Sequence, residues 1–126
     1  MRLLLDTHAI IWWLEQSPRL SAAAQSAITD SSNDVFVSAV SALEMSLKSA
    51  RGKLRAPSDL DELIVANAFV ELPITVRHGI ALRHVPHHHK DPFDRLLVAQ
   101  AHVEGLTLVT ADRELGAYGV PILPAS

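Results

Sequence analysis

The chain contains no cysteine. Disulfide bridges and thiolate chemistry are therefore excluded, and any metal must be held by oxygen or nitrogen. Long apolar runs are missing as well. The opening stretch Leu3-Leu4-Leu5 is broken by Asp6 and again by His8, far short of the ~20 apolar residues that a bilayer span needs. No basic stretch followed by an apolar core and a small-residue cleavage site opens the chain, so the expectation is a cytoplasmic protein with no membrane association. Nor is there an excess of positive charge: 11 Lys and Arg stand against 14 Asp and Glu, a formal net charge of −3. Nucleic-acid binders usually carry a basic surface, so such a role requires the acids to be gathered in one place and the bases in another. Repeats, low-complexity segments and interdomain linkers are absent too. What is present is 126 residues, 48% of them apolar, enough for one domain over 1–126 with a sizeable core.

Strand and helix signals alternate along this chain. Leu3 to Leu5 reads as a buried strand ending at Asp6. Thr7 to Glu15 reads as a helix with Ile10, Ile11, Trp13 and Leu14 inward, closed by Ser17-Pro18. Ser21 caps a second helix through Thr29, and Val35 to Val37 is a second strand. Ser38 or Ser41 caps a third helix, whose Val40, Leu43 and Leu47 form the expected inward stripe and whose stop is Gly52. Ser58-Asp59 opens a fourth helix; Val70 to Leu72 is a short strand; Thr75 to His84 is a further helix. A helix from Pro92 to Glu104 stops at Gly105, and the strand Leu106 to Val109, a brief helix over Arg113 to Ala117 and a strand near Val120 to Leu123 follow. This alternation predicts an α/β sandwich, helices on a central, mainly parallel sheet.

In such sheets ligands bind outside the carboxyl ends of the strands, where strand order reverses. Asp6 directly follows the first strand, and Asp112 follows Leu106–Val109 by the spacer Thr110-Ala111. Each acid also has a plain reading as a helix cap. Asp91 suits the N-cap before Pro92, which leaves Asp94, in the first turn, only partly explained. Glu44 lies beside the inward stripe of the third helix, where an acid is rarely buried without a partner. Four acids with a shared location would repel one another unless a cation neutralised them. A hard divalent ion with oxygen ligands does so, Mg²⁺ (or Mn²⁺) where phosphate oxygens complete the shell. The local excess of bases at Lys48, Arg51, Lys53 and Arg55 is either a solvated helix end or a contact for RNA or a partner.

The segments LLLDTHAIIWWL, SALEMSLKSARGKL, HHHKDPFDRLLVAQA and LTLVTADREL, in this order and nearly end to end, resemble the PIN-domain ribonucleases, specifically VapC-like toxins of bacterial toxin–antitoxin pairs. The resemblance implies a PIN fold, a three-layer α/β/α sandwich with strand order 3-2-1-4-5. It implies a metal-dependent endoribonuclease with its acids at Asp6, Glu44, Asp94 and Asp112 and with Thr110 near the metal. Asp91 is assigned as cap or supporting contact. It also implies homodimers, an RNA substrate and a cognate antitoxin. The histidine run at 87–89 has no part in that pattern; imidazole suits Zn²⁺ or Ni²⁺, and a surface loop is the simpler expectation. His8 is expected to pack within its helix; Trp12 and Trp13 could stack bases, but at least one of them is expected to be buried in the core or a dimer interface. Two other function classes remain to be distinguished: a non-catalytic binding module with the same fold, and an α/β phosphotransfer or phosphatase-like domain. The latter wants paired acids or a second Asp two residues after the first, and Asp6-Thr7-His8 supplies neither.

Overall fold

Three consecutive leucines are all buried only where both faces of a strand are covered. Leu3, Leu4 and Leu5 are each 0% exposed because β1 (Arg2–Leu5) runs through the middle of a five-stranded sheet. A computed structural model describes residues 1–86 and 91–126; the histidine run at 87–89 lies outside the described residues.

After β1 come α1 (Thr7–Leu14), α2 (Ala22–Thr29), β2 (Asp34–Ser38), α3 (Ala39–Ala50), α4 (Leu60–Ala66), β3 (Val70–Leu72) and α5 (Val76–Ala81). A 3₁₀ turn at Leu82–His84 extends α5; then follow α6 (Pro92–Glu104), β4 (Thr107–Thr110), a 3₁₀ helix (Arg113–Tyr118) and β5 (Ile122–Pro124). The strands lie in the order β3-β2-β1-β4-β5, and every pairing is parallel. Alternate residues of each strand feed opposite faces. Leu3, Leu5, Val35, Val37 and Val109 pack with Ile10 and Ile11 of α1 and Ile28 of α2. Leu4 and Leu108 pack with Leu97, Val98 and Ala101 of α6 on the other side. The three-layer α/β/α sandwich and its strand order are those expected.

Local chemistry sets the helix starts. Asp6, Ser21, Ser38, Thr75 and Asp91 each accept a hydrogen bond from a backbone amide of the first turn that follows. Gly105 ends α6 in the left-handed region at φ +67°, a conformation that costs glycine nothing. β4 and β5 sit one or two residues later than their apolar runs suggest, since the ladder, not hydropathy, decides where pairing begins.

One helix is oriented differently from its expectation. On α3 the buried positions are Val40, Ser41, Glu44 and Met45, whereas Leu43 and Leu47 are each 48% exposed. The helix turns a mixed polar and apolar arc inward because Ser41 and Glu44 find partners there. That satisfaction outweighs the burial of two leucines.

Candidate functional site

The site grows from the junction of β1 and β4, the point where strand order reverses. The Asp6 amide donates to Val109 O at 3.0 Å, so the residue following β1 stays in register with the end of β4. Asp6 is thereby set beside Thr110, whose hydroxyl hydrogen-bonds its carboxylate. The same carboxylate caps α1 by accepting from the Ala9 amide at 2.8 Å. Capping and site membership are not alternatives for Asp6; one oxygen serves the helix while the group faces its neighbours. Burial pushes its pKa above the ordinary carboxylate value; hydrogen bonds from Thr110 and Ala9 and the nearby His8 oppose the rise, and the Glu44 charge adds to it.

Glu44 comes to the same place from α3, only 3% exposed. Its Oε1 accepts from the Thr7 hydroxyl at 2.5 Å, and Ser41 Oγ lies 3.1 Å from Thr7 Oγ1, where the serine is the donor because the one threonine proton is given to Glu44. Its Oε2 is paired with the Lys48 ammonium one helical turn on. A buried carboxylate is therefore held at both oxygens, as burial of a charge requires. Lys48 reaches further, to within 3.9 Å of Asp91 Oδ2, and stands 5.9 Å from the centre of the Phe93 ring. The Glu44 hydrogen bond and the charges of Glu44, Asp91 and Asp94 hold the Lys48 pKa above the usual lysine value, against the desolvation that lowers it.

Asp91 and Asp94 come from the start of α6. Asp91 is its N-cap, accepting from the Phe93 amide at 2.8 Å and the Asp94 amide at 3.4 Å. Asp112 follows β4; its amide donates to Thr110 Oγ1 at 3.0 Å and its carboxylate accepts from the Glu114 amide at 3.0 Å, capping the 3₁₀ helix. Thr110 thus joins the two strand ends, touching Asp6 with its proton and Asp112 with its oxygen.

Among the described residues no three carboxylates or imidazoles lie within common reach of one ion as the side chains stand. Several of the acids are turned to backbone amides, and Glu44 is turned to Lys48. The donor set itself is all oxygen and strongly acidic, which suits a hard divalent cation once those carboxylates turn to it.

Two residues of this site were not expected there: Thr7, read only as the start of α1, and Ser41, read as an alternative cap of α3, a place that Ser38 takes. Their signal is spacing, since Ser41 and Glu44 are one turn apart on α3 and Thr7 is adjacent to Asp6. Lys48, grouped by composition with Arg51, Lys53 and Arg55, parts from them: those three are exposed, while Lys48 is drawn onto Glu44. His8 is exposed, its ring 5.9 Å from that of Trp12 one turn along α1, so its contact is within its own helix. Both tryptophans are half-buried, lining a groove of about 930 Å³ with Leu63 and Asn67; Trp13 Nε1 donates to Asn67 Oδ1 at 3.0 Å.

The sequence profile of the PIN domain matches residues 3–120. The chain belongs to the PIN domain family. Among curated proteins, Ribonuclease VapC22 of Mycobacterium tuberculosis is 35% identical over 124 residues, which span 94% of this chain and 92% of that protein. Among solved structures, VapBC2 from Rickettsia felis, bound to a DNA fragment from its promoter, aligns at a TM-score of 0.73 and 14% identity, covering both chains completely. FitAcB from Neisseria gonorrhoeae aligns at 0.67 and 21% identity over 98% of this chain and 97% of that one. At such identities these two structures are relatives in fold. In this PIN domain Asp6 directly follows β1, Glu44 lies on α3, Asp94 lies in the first turn of α6, and Asp112 lies two residues past β4.

Proposed function

We propose that this PIN domain is a metal-dependent endoribonuclease and the toxin of a toxin–antitoxin pair, with Asp6, Glu44, Asp94 and Asp112 as the residues that hold Mg²⁺ or Mn²⁺. The observation that carries the reading is the meeting of Asp6, Thr110 and Glu44 at the strand-order switch, where burial already raises the Asp6 pKa. Two buried acids within electrostatic reach of each other, as Asp6 and Glu44 are, would be a cost to the fold without a chemical use. The similarity to a protein named as a ribonuclease supports the activity, and a structural neighbour described as a toxin–antitoxin complex supports an antitoxin partner. A homodimer and a cytoplasmic location belong to the same reading.

Bound there, the ion supplies Lewis acidity toward a phosphate oxygen and toward the attacking water. The chain's own residues do the positioning. Thr7 holds Glu44 through Oε1, and Thr110 holds Asp6, so both carboxylates keep their aim without help from solvent. Asp91 caps α6 and so sets the first turn from which Asp94 projects. Arg51, Lys53 and Arg55, exposed beyond the end of α3, are suited to RNA phosphates; Arg51 lies about 10 Å along the axis from Glu44.

The test is an RNA cleavage assay with Mn²⁺ or Mg²⁺, with EDTA, and with Asp94→Asn. Cleavage is expected with either ion and absent in EDTA, and Asp94→Asn is expected to fold normally and not cleave. Undiminished cleavage by purified Asp94→Asn removes that residue from the ligand set. Cleavage that persists in EDTA removes the metal.

A further inference from the structure

Glu44 uses its two oxygens differently. Oε1 is bound to the Thr7 hydroxyl in the interior, and Oε2 is bound to Lys48. The two partners differ in freedom as well: Thr7 is 3% exposed, whereas the Lys48 side chain is 33% exposed against 4% for Glu44. A lysine is a compact charge on a four-carbon stem that swings into water at little cost. Lys48 also stands near Asp91 and faces the Phe93 ring, so its ammonium lies between α3 and the start of α6, the two elements that bear Glu44 and Asp94.

We infer that Lys48 is an internal counterion of the carboxylate cluster that exchanges with the divalent cation at Glu44 Oε2. This rests on the cluster being a metal site. Thr7 keeps the Glu44 carboxylate aimed in both states. With the lysine in, the buried acid is neutralised and the metal-free protein is stable. With the ion in, the ammonium swings out toward solvent, where it is free to meet a substrate phosphate. Glu44 is thus never left without a cation beside its Oε2, and the ion must compete with a charge built into the chain.

Mn²⁺ binding measured by calorimetry on the full chain, stripped with EDTA and dialysed, tests this, together with the melting temperature in EDTA. The proteins are wild type, Lys48→Met, Lys48→Gln (which keeps a hydrogen-bond donor without the charge) and Glu44→Gln. Both Lys48 variants are expected to bind Mn²⁺ about fivefold tighter or more, the scale of a partly exposed ion pair, and to melt at a lower temperature in EDTA. Glu44→Gln is expected to bind Mn²⁺ more weakly. If wild type binds Mn²⁺ and Glu44→Gln does not, but the Lys48 variants bind as wild type or more weakly, the metal site stands and the exchange is refuted. If no protein binds Mn²⁺, the metal site and the exchange fall together. A Lys48 that serves only as an RNA contact leaves both readouts unchanged, which also refutes the exchange.

Discussion

Asp6 has two duties at one carboxyl, and they separate by substitution. Asn caps a helix about as well as Asp, so Asp6→Asn keeps the α1 start while removing a buried charge. A carboxyl whose pKa is raised on folding binds its proton more tightly in the folded chain. Its contribution to stability therefore falls as pH rises from the ordinary carboxylate range through the raised value. In EDTA, Asp6→Asn should melt at or above the wild-type temperature near neutral pH, the advantage shrinking as pH falls toward about 4. A variant that melts well below wild type across that range would show that the charge is stabilising. Thr7 gives the converse case. Thr7→Val removes the donor to Glu44 Oε1 and leaves a buried carboxylate short of a partner, at a cost of ~1–3 kcal/mol. Urea unfolding reads this directly, and an unchanged midpoint would mean that Lys48 alone satisfies Glu44.

In the proposed site, the start of α6 sets the direction of Asp94. Asp91 accepts from two amides there, and the first turn it organises carries Asp94. Asp91→Ala is expected to cost ~1 kcal/mol of stability and to reduce RNA cleavage, while Asp91→Asn restores both. Failure of Asn to restore cleavage would mean that the Asp91 charge, near Lys48, matters more than its cap. At the far end of the same helix, Glu104 Oε2 lies 2.9 Å from Nε2 of the buried His78, and Gln100 Oε1 accepts from Ser38 at 2.5 Å. The Thr75 amide donates to His78 Nδ1, which leaves Nε2 as the protonated nitrogen facing Glu104. α5, α6 and the end of β2 are tied together by these polar contacts.

For the molecule as a whole, the metal should act as a ligand of the folded state. An ion at 100 times its dissociation constant adds ~2.7 kcal/mol, a rise of several degrees in the melting temperature for a chain of this length. Mn²⁺ should raise that temperature and EDTA should reverse the rise. A melting temperature flat across the titration would count against a metal centre built by the fold. The fold was largely legible from the chain itself: the apolar runs Leu3–Leu5 and Leu106–Val109 marked inner strands, and the proposed site residues Asp6 and Asp112 follow these strand ends. Capping chemistry marked Ser21, Asp91 and Gly105 because it acts within a few residues. The orientation of α3 was not legible, since Leu43 and Leu47 offered one inward face and Ser41 and Glu44 another. Thr7, distant in sequence, decided between them.

By itself, then, the sequence determined the alternation of strands and helices and the caps, because these rest on local periodicity and on short-range hydrogen bonds. Only the tertiary structure decided that Glu44 points inward, that Lys48 leaves its basic neighbours to join it, and that Thr110 bridges Asp6 and Asp112. Each depends on partners from different elements, and the free energy of a buried charge is set by those partners rather than by its neighbours along the chain.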